Sequence, residues 1–247
     1  MTDYREVGRP AIEGELNINE FVKTQFGLVL LKRVPKDNPQ IWDSISVEYG
    51  AIGFFEEGGS FKRRSFEEQL HLAEDAAFYQ LRVLLPASVK NETIYYPFLA
   101  DALTYDEYLA NAAADESVEI VSQLFEDLRS AHTKGIVYGD RWPPNILVTQ
   151  GEGVVNIDFD IELTGFPAVE FETAQAIFYT LCAGKKDIIP SLVDILISND
   201  GWFNYALVEK FLIGHGNFFA TDPKFGDFRK LISRLLFKAR KQREKIK

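Results

Sequence analysis

HTKGIVYGDRWPPNILV at residues 132–148, followed by VVNIDFD at 154–160, is the stretch from which the rest of this 247-residue chain is read. A short apolar run ends at Gly139 and hands over to Asp140 on a loop. Asn145 lies five residues later and opens an aliphatic strand, 146–148. A turn at 150–153, carrying Gly151 and Gly153, returns the chain through a second strand, 154–157, that delivers Asp158. Two adjacent antiparallel strands would then carry an amide and a carboxylate to one edge, beside a second carboxylate.

That set of side chains has a particular chemistry. Magnesium takes hard oxygen ligands and usually shares them with phosphates and water. Asn145 and Asp158 supply such oxygens with little excess charge, and Asp140 is left to orient or deprotonate an attacking hydroxyl. The pattern points to phosphoryl transfer.

Working outward, the region before this stretch reads as strands with one helix. Residues 27–34, 45–49 and 52–55 are strand-like, and the glycines of 56–60 suggest a hairpin returning through 61–65. A helix is expected over 65–85, opened by the capping box Ser65/Glu68 and stopped by Pro86, with Leu70, Glu74, Phe78, Leu81 and Leu85 on one face. Residues 93–99 form a strand leading into a connector. From there periodic helices run over 105–113 and 117–134, the second ended by Gly135. After the hairpin region come a helix over about 170–183 and further helices to the end. Strands with one helix, a connector and a helical half give an α+β two-lobe plan, with an N-lobe over 1–99 and a C-lobe over 100–247.

The decisive stretch resembles the catalytic core of the protein-kinase-like superfamily, above all its aminoglycoside and choline kinase-type branch or a compact atypical protein kinase. The residues that carry the likeness are Tyr138-Gly139-Asp140, Asn145 and Ile157-Asp158-Phe159, with Asp158 thirteen positions after Asn145. Leu128 and His132 ahead of Gly135-Ile136, and the helix 170–179, extend it over roughly 93–183. The resemblance implies ATP and magnesium as cofactors, Asp140 as the catalytic carboxylate, and Asn145 and Asp158 as metal ligands. It also implies a lysine on a strand, paired with an acid on the next helix, to hold the nucleotide. Lys62 with Glu74 fits by position; Lys32 and Asp75 are the rivals. The adenine would lie against the connector around Tyr95 to Leu99. Glu170 or Glu172 is expected to bond the catalytic-loop backbone, and His132 to be a hydrogen-bonded structural residue.

The departures from the family pattern are specific. Tyr138 stands for the usual histidine, Asp160 for a common glycine and Trp142 for the lysine of Ser/Thr protein kinases. About ten residues separate Asp158 from Glu170, too few for a long activation segment. No strong glycine-rich loop is visible, Gly50 and Gly53 being the nearest. A pseudokinase acting as a nucleotide-sensing or scaffolding module is therefore the alternative to a transferase acting on a hydroxyl of a small molecule or protein.

Bulk composition bounds these readings. The absence of a signal-like N-terminus or long apolar run, together with the single Cys182, makes a cytoplasmic protein without a membrane span the expectation. The chain has a net charge of −10, but residues 224–247 hold ten Lys or Arg and two acids, so the rest stands at −18. This division argues against nucleic-acid binding by the body. The basic tail reads first as a solvated helix end, and second as a contact for RNA, anionic lipid or an acidic partner.

Overall fold

In the computed structural model, residues 5–6, 12–13, 18–24, 27–33, 39–91, 93–184, 187–198, 201–221 and 228–246 are described. The N-terminal part begins with β1 (Arg5–Glu6), β2 (Ile12–Glu13), β3 (Ile18–Thr24) and β4 (Gly27–Arg33). Helix α1 (Pro39–Ile52), β5 (Ser60–Arg63), α2 (Phe66–Phe78), β6 (Ser88–Lys90) and β7 (Thr93–Pro97) follow. Six of these strands make one sheet in the order β1-β3-β4-β7-β6, with β2 on β3, and all the pairings are antiparallel. Lys32 on β4 lies between Asn19 of β3 and Ile94 of β7.

The remainder is mostly helical: β8 (Leu103–Thr104), α3 (Tyr105–Asn111), α4 (Ala114–Thr133), β9 (Ile146–Thr149), β10 (Gly153–Asn156), β11 (Ile161–Thr164), α5 (Ala168–Gly184), α6 (Ile189–Ile197), α7 (Tyr205–Phe218) and α8 (Phe228–Ile246). The chain is thus mixed α+β. One large apolar core joins these helices to α1 and the inner face of α2, while Phe66, Ile94 and Tyr96 form a second, small cluster under the sheet. Helix α5 is buried on nearly every side, and its polar residues Glu172 and Gln175 are buried with the apolar ones. No described helix is long and apolar enough to cross a membrane.

Three expectations are corrected. Residues 45–49 and 52–55 are not strands: 39–52 is helix α1, so the described residues of 1–99 hold two helices rather than one. Ile45 and Tyr49 are four apart and suit a helix face as well as they suit alternation. The deciding residue is Val47, which alternation would bury and which is 64% exposed. Pro39 occupies the first helical position, Gly53 follows the end at φ +95°, and Tyr49, Ile52 and Phe54 enter the main core.

Second, the strand at 60–63 does not return as a local hairpin. It pairs with β11, a hundred residues later, Lys62 opposite Glu162. Third, the helix from Ser65 ends at Phe78, well short of 85. Both arms of the Ser65/Glu68 capping box form, but Gln80 turns left-handed at φ +59° and Leu81 N–H bonds back to the Ala76 carbonyl at 3.0 Å. The buried face is Phe66, Gln69, Ala73 and Ala76, and Phe78 is 80% exposed. Small residues that permit close approach set this face, rather than the bulkier leucines.

Candidate active site

Hairpin β9–β10 pairs Thr149 with Gly153 and Ile146 with Asn156. The ladder continues one step beyond the strands, where Ile157 N–H donates to the Asn145 carbonyl at 2.9 Å. Asn145 and Asp158 therefore meet at one edge, as the spacing requires. The Asn145 amide nitrogen donates to the Asp140 carbonyl at 3.0 Å, which turns the amide oxygen away from that bond. Gln175 on α5 then grips Asp140 from behind: its Nε2 donates to Asp140 Oδ1 at 2.7 Å, while its Oε1 accepts from Arg141 N–H at 2.6 Å.

The loop that carries Asp140 is pinned by buried polar groups, which must be bonded to be tolerated. Glu172 on α5, fully buried, accepts from Gly139 N–H at 2.7 Å and from His132 Nε2. Trp202 Nε1–H donates to His132 Nδ1 at 2.8 Å, which fixes the tautomer with the proton on Nε2. Tyr138 donates its hydroxyl to Asp127 at 2.7 Å and is buried. It is an architectural residue, and the acid of α5 that meets the loop backbone is Glu172.

Arg64, at the end of β5, is also buried. Its guanidinium donates to the carbonyls of Val137 at 3.0 Å, Tyr138 at 2.8 Å, Phe159 at 3.2 Å and Ile161 at 2.7 Å. It thereby fastens the Asp140 loop to the segment after Asp158, and burial pulls its pKa down from the ordinary arginine value. Gly139 lies so close to this segment that a Cβ would stand 1.9 Å from the Ile161 carbonyl oxygen, at φ +114°. Only glycine fits there.

The fourth component comes from the sheet. Lys32 is 4% exposed, and its ammonium contacts Asp158, Asp160 Oδ1 at 2.9 Å and Gln69 Oε1 at 3.5 Å. Gln69 Nε2 donates in turn to Asp160 Oδ1 at 2.6 Å and to the Arg64 carbonyl at 3.2 Å. Asp158 adopts a left-handed backbone at φ +56°, a costly choice for a non-glycine residue and one that concentrates at functional sites. Burial alone would lower Lys32, but Asp158 and Asp160 override it and hold the ammonium above its ordinary pKa. Burial and the neighbouring Asp160 push Asp158 up to about 7, against the pull of Lys32.

Among the described residues no group of three or more His, Cys, Asp or Glu side chains is arranged to hold a metal by itself. The hard oxygens of Asn145 and Asp158 nevertheless fit magnesium in the form it prefers, with the remaining ligands from phosphate and water.

Lys62 and Glu74 are not brought to this cluster. Lys62 is exposed and pairs with Glu68 at 3.0 Å and Glu162 at 3.2 Å. Glu74 and Asp75 are exposed on the outer face of α2. Of the connector residues, Tyr96 is buried opposite Leu30, two residues along β4 from Lys32. The sequence offers Lys32 as a rival lysine and places Asp160 where a glycine is common. It does not single out Gln69, Arg64 or Gln175; the available signal was a polar side chain on a face otherwise destined for burial. No family model matches this chain, and a search of curated proteins returns no significant match.

Proposed function

We propose that the chain is an ATP- and magnesium-dependent phosphotransferase of the two-lobed kinase-like plan, acting on a hydroxyl of a small molecule or protein. The six-stranded sheet would be the smaller lobe and the helical part the larger. The observation that carries this reading is the meeting of Lys32, from the sheet, with Asp158, from the hairpin, at the edge that also presents Asn145 and Asp140.

Lys32 takes the nucleotide-holding role in this reading, and Lys62 does not. Its ammonium lies where it can exchange Asp158 for phosphate oxygens while retaining Asp160. Asp140 orients the acceptor hydroxyl and takes its proton, and Gln175 fixes the rotation of that carboxylate. Positioning of this kind is most of what phosphoryl transfer asks of a protein. Magnesium, when held by Asn145 and Asp158, would supply charge neutralisation across the phosphate oxygens.

Titration of ATP with and without magnesium, on wild type and Asp158→Ala, tests the site. Binding that needs magnesium and fails in the variant supports it; no binding to wild type in either condition overturns it. Asp140→Asn is expected to lower turnover by about 10²–10⁴-fold with nucleotide affinity kept. Full turnover in that variant ends the assignment.

A nucleotide-sensing module without turnover is the second reading, and one observation favours it. The residue of α2 that meets Lys32 is the uncharged Gln69, where the family resemblance calls for an acid. Magnesium-dependent ATP binding with no phosphate transferred to any acceptor would favour this alternative.

A further inference from the structure

Lys32 touches two carboxylates that differ in what holds them. Asp158 keeps 30% of its side chain exposed, whereas that of Asp160 is 5% exposed. Asp160 is also fixed at both ends. Its backbone continues the β5–β11 ladder one step past Arg63 and Ile161, its carbonyl accepting from Arg64 N–H at 2.7 Å. Its carboxylate accepts from Lys32 Nζ at 2.9 Å and from Gln69 Nε2 at 2.6 Å. A ligand arriving from solvent therefore meets Asp158 and not Asp160.

Gln69 is the other half of this clamp. It is fully buried in the first turn of α2, and its N–H donates to the carbonyl of the N-cap Ser65 at 3.0 Å. Its amide has one usable orientation. Oε1 lies 3.5 Å from the Lys32 ammonium, and Nε2 is shared between Asp160 and the Arg64 carbonyl. Flipped, the amide would set its oxygen against a carboxylate and a carbonyl, and its NH2 against an ammonium. A glutamate at this position would bring a second negative oxygen to 2.6 Å from Asp160. A neutral side chain that both donates and accepts is what a buried carboxylate at 160 requires of α2.

We infer that Asp160 is the permanent anchor of Lys32 and that Gln69 positions it, so that the acid expected from α2 is supplied from the segment carrying Asp158. The inference rests on the nucleotide-binding reading of the site. When the ammonium turns to phosphate oxygens it keeps one charged partner, and the Asp158 carboxylate is left for metal. Without Asp160, the Asp158 carboxylate would have to serve lysine and metal at once. The anchor also sits two residues from Asp158, so the pair is built into one short segment and does not wait on the placing of a helix. Under this arrangement a neutral residue at 69 no longer argues against turnover.

The test is a magnesium titration of the full chain with a fluorescent ATP analogue, read as the magnesium concentration for half-maximal binding. Urea unfolding of the nucleotide-free protein runs beside it. Asp160→Asn should raise the magnesium midpoint about tenfold, the loss of one charged hydrogen-bonded contact. Gln69→Glu alone should also raise it and should lower the urea midpoint, since it sets like charges together. Joined to Asp160→Asn, the same Gln69→Glu should change sign and bring both midpoints back toward wild type, because the carboxylate has moved from 160 to 69. A merely structural role gives additive losses instead. Where Asp160→Asn does not fold, Gln69→Met, which keeps both charges and loses the clamp, must raise the magnesium midpoint at least about threefold. An unchanged magnesium midpoint in folded Asp160→Asn, additive losses in the double variant or an unmoved Gln69→Met overturns the inference while wild type still binds. Wild type that binds no analogue with magnesium overturns the nucleotide reading itself, and the inference with it.

Discussion

Two lysines in this molecule each sit between two carboxylates, and their surroundings make them opposites. Lys32 lies between Asp158 and Asp160 with its side chain 5% exposed; Lys62 lies between Glu68 and Glu162 with its side chain 55% exposed. In the first trio Lys32 and Asp160 are removed from water while Asp158 keeps 30% of its side chain exposed, so the two buried charges depend on each other. The second is solvated and screened, and such pairs contribute little. Proximity of opposite charges is common to both, and only the buried trio has energy to put into a site.

The largest expected effect comes from removing the two lysines in parallel. Lys32→Met strands the buried Asp160 beside the partly exposed Asp158 and should cost about 3 kcal/mol in urea unfolding, with magnesium-dependent ATP binding lost. Lys62→Met should leave the unfolding midpoint and nucleotide affinity unchanged. Equal effects from the two would erase the distinction between the trios.

A buried ionisable group with no charged partner sharpens the same point. His215 is fully buried, with Nδ1 donating to the Phe211 carbonyl at 2.8 Å, and burial lowers its pKa from 6.5 to about 4. The unfolded chain therefore binds the extra proton between those values. The contribution is intact above pH 6.5 and is lost as pH falls to about 4, amounting to roughly 3 kcal/mol. His215→Phe should flatten that part of the stability–pH curve, whatever its effect at neutral pH; an unchanged slope would assign the acid sensitivity elsewhere.

Smaller effects test the coupling. Adding Asp160→Asn to Lys32→Met should recover about 1–2 kcal/mol, because one stranded charge is gone. Strict additivity of the two losses would show that the carboxylates never depended on the lysine. Smallest of all, raising salt should loosen the Lys62 pairs and leave the Lys32 trio untouched. Chemical shifts of the two Nζ groups would report this.

The same contrast explains what could be read from the chain alone. The Asp140, Asn145 and Asp158 edge was legible because a local hairpin builds it, and spacing within a hairpin translates directly into space. Lys32 was not assigned because its partner is 126 residues away, beyond the reach of any local pattern. Lys62 looked better placed only because it is close in sequence to the next helix. The strand reading of 45–49 failed for a related reason: Ile45 and Tyr49 satisfy two periodicities, and the choice between them was made by contacts with α7 and Phe171. Gln69, Arg64 and Gln175 are ordinary polar residues whose burial depends on the finished fold.

The four carbonyls held by Arg64 have a consequence for motion. Arg64 joins β5 to α2 in sequence and grips both the Asp140 loop and the segment behind Asp158, while β5 is laced to β11. The start of helix α2 is thereby tied to the Asp140 loop. If Lys32 leaves Asp158 for a phosphate, as proposed, the movement falls to the lysine side chain and the sheet that carries it, while α2 stays fastened to the Asp140 loop.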